Sequence, residues 1–182
     1  RILEMPDVPD VVKKAAAGGH IFMSKIINIL VFSKAKRVLA SDTDILYYKS
    51  PVEIVDFLSG RTDFDALVQR QVSDETVFDL MMDDFYGDKY KLKESRIALM
   101  NGGYIAIDRD KFNLNQLAEC LEHSKRPVSD YFSEMAAWCC LLAQSKFGFL
   151  SPDKYAIKGF LNDRMVMKHY TSPRRYEMFA YG

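Results

Sequence analysis

Aspartates two residues apart recur at three places: Asp42-Thr43-Asp44, Asp63-Phe64-Asp65 and Asp108-Arg109-Asp110. Carboxylates at this spacing can hold a hard divalent cation, cap a helix or close a turn, so position in the chain has to decide. Asp63-Phe64-Asp65 follows Gly60-Arg61-Thr62 and precedes an apolar run, where a turn is expected. Asp108-Arg109-Asp110 ends an apolar run and precedes a helical pattern, where aspartate caps the helix and complements its dipole. Asp42-Thr43-Asp44 lies between two apolar runs, Arg37-Val38-Leu39-Ala40 and Ile45 to Tyr48. In extended chain its two carboxylates point the same way, and like charges at a buried strand end repel unless a cation stands between them. Mg²⁺ or Mn²⁺ does this, taking carboxylate oxygens together with substrate phosphates. A solvated Asx turn is the competing reading.

Two further places fit a metal–diphosphate complex. His169 follows Met165-Val166-Met167-Lys168 and lies within Lys168-His169-Tyr170-Thr171-Ser172-Pro173-Arg174-Arg175. A histidine ligand beside arginine forks and a lysine point charge would offset phosphate oxygens, whereas a lone histidine is otherwise an ordinary structural one. Asn101-Gly102-Gly103 joins a side chain that both donates and accepts to glycines that let backbone approach a ligand. A plain tight turn is the alternative there.

The elements that must position these residues alternate. Helices are expected over Val8 to Ala17, stopped by Gly18-Gly19, and over Phe22 to Phe32, apolar on most faces and therefore a buried helix. Arg37 to Ala40 reads as a buried strand running into a loop, and Ile45 to Tyr48 is a second apolar run. Pro51 opens a helix over Val52 to Leu58, and Gly60 stops it. A strand over Asp65 to Val72, a helix from Ser73 through Phe85, and a strand Tyr104 to Ile107 entered through Asn101-Gly102-Gly103 come next. Leu114 to His123 and Ser129 to Gln144 read as helices. Phe147 to Leu150 and Met165 to Met167 read as short strands, and Arg174 to Phe179 as a last helical turn or two. This alternation is α/β with a mainly parallel or mixed sheet, in which ligands bind beyond the carboxyl ends of strands.

Composition limits the partners. The chain has 182 residues, one domain at about 150 per domain. Its 25 Lys+Arg balance 25 Asp+Glu, which weighs against nucleic acid as a partner. No apolar stretch reaches the roughly 18 residues a transmembrane segment needs. With no signal peptide in view, a cytoplasmic location is expected, peripheral attachment to a membrane being the further option. Cys120, Cys139 and Cys140 make no disulfide framework and read as three small buried hydrophobes in a reducing compartment.

Together these residues resemble the GT-A glycosyltransferases, the nucleotide-diphospho-sugar transferase superfamily. Arg37 to Pro51 is similar to the family's strand, metal-binding Asp-x-Asp, short apolar run and proline-led helix. Met100 to Ile107 is similar to the Asn-x-Gly stretch lining the sugar pocket. Ser133 to Trp138 resembles the downstream helix with an acidic residue near its start, and Met167 to Tyr170 the late histidine of the metal site. Order and rough spacing agree with the glycogenin-like and lipopolysaccharide-glycosyltransferase-like branches. The resemblance implies a Rossmann-like mixed sheet flanked by helices, with residues 1–182 forming a single domain that lacks its N-terminal strands. The half that binds the nucleotide base would lie before Arg1. It also implies Mn²⁺ or Mg²⁺ on Asp42, Asp44 and His169, and a nucleotide-diphosphate sugar donor held by Lys25, Asn101, Gly102, Gly103, Lys168, Arg174 and Arg175. Asn101 and Glu134 would orient the sugar, with Glu134 as general base if its face meets the acceptor, which could be a glycan, a lipid or a protein. The acidic position is Glu134-Met135, where some branches have Asp-Gln or Glu-Gln.

Two other functions compete. A metal-dependent phosphohydrolase calls for Thr or Gly soon after the second aspartate, whereas Asp44 is followed by Ile45-Leu46-Tyr47; Asp83-Asp84 reads as a solvated helix face. A degenerate, non-catalytic transferase-like module would keep the fold without the chemistry. The tyrosines Tyr47-Tyr48 could line a sugar-stacking surface, but core packing explains aromatics equally well.

Overall fold

The computed structural model describes residues 2–70, 97–125, 127–171 and 174–181. Among the described residues the helices are α1 (Asp10–Gly18), α2 (Met23–Phe32), α3 (Val52–Leu58), α4 (Leu114–Glu122), α5 (Ser133–Leu142) and α6 (Arg175–Tyr181). The strands are β1 (Arg37–Ser41), β2 (Ile45–Tyr47), β3 (Ala66–Arg70), β4 (Met100–Asp108), β5 (Phe147–Leu150), β6 (Tyr155–Ala156) and β7 (Met167–His169). The chain is a mixed α/β protein with two small sheets and flanking helices. The expected helix from Ser73 through Phe85, with Asp83-Asp84 on it, lies outside the described residues, as does Val72.

Two compact units divide the chain. The first holds Arg1–Val38, Asp108–Ser145 and the described residues of Asp74–Ala98. It is helical, with α1, α2, α4 and α5 packed on one another. In α2 the residues Met23, Ile26, Ile27 and Leu30 are buried, at the spacing that lines one helix face. Phe32 is 44% exposed, so α2 buries one face, not its whole circumference as its composition suggested. Helix α4 begins at a reciprocal capping box: Asn113 accepts from the Gln116 backbone, and Gln116 accepts from the Asn113 backbone. Asp108 caps the short turn Arg109–Lys111, not the following helix, whose cap is Asn113, and pairs with Arg37 at 3.6 Å. Helix α5 starts at Ser133 rather than Ser129. The Asp130 carboxylate accepts from the Phe132 backbone at 2.9 Å, and this local bond holds the preceding residues in a turn. Nearly all of α5 is buried, Trp138 included.

The three cysteines are not all free thiols, contrary to expectation. Cys120 on α4 and Cys140 on α5 form a disulfide, and only Cys139 is a free, buried thiol. Two apolar-looking cysteines 20 residues apart carry no local signal of pairing, since only the packing of α4 on α5 brings them together. Oxidising surroundings sustain such a bridge.

The second unit comprises Leu39–Ser73, Leu99–Ile107 and Lys146–Gly182. Its larger sheet has the order β1-β4-β3-β5, with β3 antiparallel to β4 and parallel to β5. Its smaller sheet has the order β2-β7-β6, with β2 antiparallel to β7 and β6 parallel to it. Leu39, Ile45, Ile54, Phe57, Leu67, Tyr104, Leu150, Tyr155 and Met167 pack into its core. Helix α3 has the expected bounds, behind Pro51 and before Gly60, whose φ of 79° suits glycine.

Two strands differ from expectation where it matters. Strand β4 starts at Met100, not Tyr104, so Asn101-Gly102-Gly103 lies inside a strand and not in a tight turn before it. Its register against β3 shifts between Val68/Gln69: Val68 faces Ile105 while Gln69 faces Asn101, so residues 102–104 of β4 form a bulge. Strand β7 covers Met167–His169 rather than ending at Met167, because Lys168 and His169 pair with Leu46 and Ile45. His169 is therefore a strand residue, and Lys168 points to the opposite face of β7.

Candidate metal centre

Asp42 leaves the end of β1, and its backbone N–H donates to Gly103 O at 2.8 Å. Asp44 precedes β2, and its carbonyl accepts from Tyr170 N at 2.7 Å. Pairing of β2 with β7 thus sets Asp44 beside His169, while the backbone bond to the β4 bulge anchors Asp42. One ligand atom from each of Asp42, Asp44 and His169 lies within 4.8 Å of the other two. His169 Nε2 is 3.1 Å from Asp44 Oδ1 and 3.7 Å from Asp42 Oδ2.

The surroundings suit a divalent cation. The side chains of Asp44 and His169 are 7% and 4% exposed, and that of Asp42 is 30% exposed, so Asp42 is the ligand nearest to solvent. Asp44 Oδ1 is buried with no hydrogen-bond donor. A buried carboxylate oxygen without a donor is costly, and a cation removes that cost. Gly103 makes room for the cluster: a Cβ there would collide with His169 Cε1, lying also 2.9 Å from His169 Nδ1 and 2.8 Å from Asp42 Oδ2. Two carboxylates and one imidazole form a borderline-to-hard donor set, consistent with Mn²⁺ or Mg²⁺ without singling out either.

Of the other residues singled out in the sequence, Asn101 shapes the bulge, its Oδ1 accepting from Gly103 N at 2.9 Å, with Gly102 between them. Arg175, at the start of α6, donates from Nε to Asp44 Oδ2 at 2.7 Å, so a guanidinium already offsets part of the acidic charge. Arg174 pairs with Glu177 at 3.0 Å. Lys168 is buried on the other face of β7, where its ammonium donates to Gly159 O at 3.0 Å and to Glu177 at 3.3 Å. It borders a cavity of about 410 Å³ between residues 159–161 and α6. In the first unit Lys25 and Glu134 pair with each other at 3.3 Å, and Glu134 also accepts from Trp138 Nε1 at 3.0 Å. The two tyrosines of the candidate stacking surface are engaged: Tyr47 donates to Tyr104 at 2.7 Å, and the Tyr48 and Tyr170 hydroxyls bond to each other. Burial, with the Tyr47 bond, pushes the Tyr104 phenol far up, so it stays protonated.

Sequence reasoning missed Gln69. This fully buried β3 residue touches His169 through Oε1, 3.2 Å from Nδ1. A single glutamine ending an apolar run carries no pattern by itself; the buried amide becomes informative only once its partners are known.

No protein-family model matches the chain, and no curated protein matches it.

Proposed function

We propose that this chain is a metal-dependent glycosyltransferase domain of the GT-A type, which moves a sugar from a nucleotide-diphosphate donor to an acceptor. The observation that carries this reading is the convergence of Asp42, Asp44 and His169 around the glycine of a bulged strand. It joins the Asp-x-Asp, Asn-x-Gly and late-histidine stretches of the resemblance at one place in the fold.

On this reading Asp42, Asp44 and His169 would hold Mn²⁺ or Mg²⁺, which would supply positive charge toward a diphosphate leaving group. Arg175 lies on the same carboxylate and exchanges Asp44 for donor phosphate oxygens, a match for its planar fork. Its charge would count most as negative charge builds on the departing oxygen. Asn101 keeps the bulge in shape, and Gly103 leaves the space that His169 and Asp42 fill. Lys168 contributes through Glu177, with which it braces α6 and hence Arg175.

Calorimetry with a panel of nucleoside diphosphates, with and without Mn²⁺, tests the proposal on the chain and on Asp44→Asn. The expected result is nucleotide binding that requires Mn²⁺ and is lost in the variant. Mn²⁺ binding with no affinity for any nucleotide would contradict a donor site in this chain and favour the non-catalytic module.

A further inference from the structure

Gln69 fixes the proton on His169, and this separates a metal site from an ordinary histidine–aspartate pair. The Gln69 side chain is fully buried on β3, immediately after the register shift that re-aims its backbone. Its Nε2 lies 3.2 Å from Tyr155 O and 3.2 Å from Ala156 O, both on β6. Backbone carbonyls only accept, so the amide nitrogen must occupy that end. Oε1 then occupies the other end, 3.2 Å from His169 Nδ1. An amide oxygen also only accepts, so Nδ1 must carry the hydrogen. In a neutral imidazole the second nitrogen, Nε2, then bears a lone pair.

Nε2 lies 3.1 Å from Asp44 Oδ1, and that oxygen has no hydrogen-bond partner, so no hydrogen bond closes the pair. With the opposite tautomer Nε2 would carry the hydrogen and could not ligate a cation. We propose that Gln69 is a positioning residue for the centre: it holds His169 in the Nδ1–H tautomer, so that Nε2 and the two carboxylates converge as acceptors on a divalent cation. The inference rests on the metal reading above, and it adds the residue that sets ligand orientation and basicity. Outer partners of ligating histidines act in this way, and their loss costs about 10–100-fold in metal affinity.

The chain has three histidines, His20, His123 and His169, so long-range proton–nitrogen correlation spectra can be assigned from single variants. Spectra of the metal-free protein near pH 8 are expected to give the Nδ1–H signature for His169. Gln69→Met, close in length but without the amide, is expected to lose that signature and to bind Mn²⁺ about 10–100-fold more weakly. Either an Nε2–H or imidazolium signature in the unmodified chain, which needs no variant to fold, or unchanged tautomer and affinity in a folded Gln69→Met, would overturn the proposal. An unmodified chain with the Nδ1–H signature and no Mn²⁺ affinity would overturn the metal reading alone, so the two claims fail separately.

Discussion

Gly103 is the residue on which the centre is most intolerant of change. Its φ is not in the left-handed region, so its requirement is spatial: His169 and Asp42 occupy the volume a side chain would need. Both neighbours are themselves held, His169 by Gln69 and Asp42 by its backbone bond to the bulge. Gly103→Ala is therefore expected to displace ligands and weaken Mn²⁺ binding at least tenfold, with the helical circular dichroism retained. Wild-type affinity in that variant would contradict the packing described. At this scale the sequence was informative for Asp42, Asp44 and His169 through position, the Asp-x-Asp spacing itself occurring three times: Asp42-Thr43-Asp44 lies between two apolar runs, and His169 follows another within a cluster of cations. It was silent on Gln69 and on the burial of Lys168, since both depend on strand register, which one-dimensional pattern does not specify.

Elements with strong local punctuation were legible. Helix α3, framed by Pro51 and Gly60, has its expected bounds, as does β5. Elements whose ends depend on long-range pairing were not: β4 and β7 both extend past their apolar runs because partner strands supply their hydrogen bonds, and two-residue β6 has no pattern to read. The first turn of α3 is tied to the β6 segment through Glu53, which accepts from Lys154 at 2.6 Å and from the Tyr155 hydroxyl at 2.7 Å. Burial opposes the charged form, but the bonds from Lys154 and Tyr155 outweigh it and hold the Glu53 carboxyl below the usual range. A carboxylate depressed in the folded state contributes stability that is complete above its unfolded value and is lost as pH falls through its folded value. Glu53→Gln is thus expected to be less stable than the parent at neutral pH, with the difference shrinking in acid; a difference independent of pH would contradict the ion-pair account. In the helical unit the Cys120–Cys140 bridge closes a loop of sequence separation 20. Loop-closure entropy makes that worth about 3 kcal/mol. Urea unfolding with and without reductant should show a loss of that order, and alkylation of the unfolded, unreduced chain should label only Cys139. Equal midpoints and three labelled cysteines would contradict the bridge.

For the whole molecule, zero net charge gives no general attraction for polyanions, so recognition of an anionic ligand has to be local. The second unit has such a locus, with two carboxylates, an imidazole and Arg175 brought within contact by three separate stretches of chain. Among the described residues no helix is long and apolar enough to cross a membrane. The central claim is that Asp42, Asp44 and His169 together bind a cation. The most direct test is a Mn²⁺ titration followed by loss of the free-ion paramagnetic resonance signal, on the unmodified chain, on Asp44→Asn and on His169→Ala. One Mn²⁺ per chain, lost in both variants while each stays folded, is the predicted result. No binding by the unmodified chain, or binding that survives both substitutions, would contradict it.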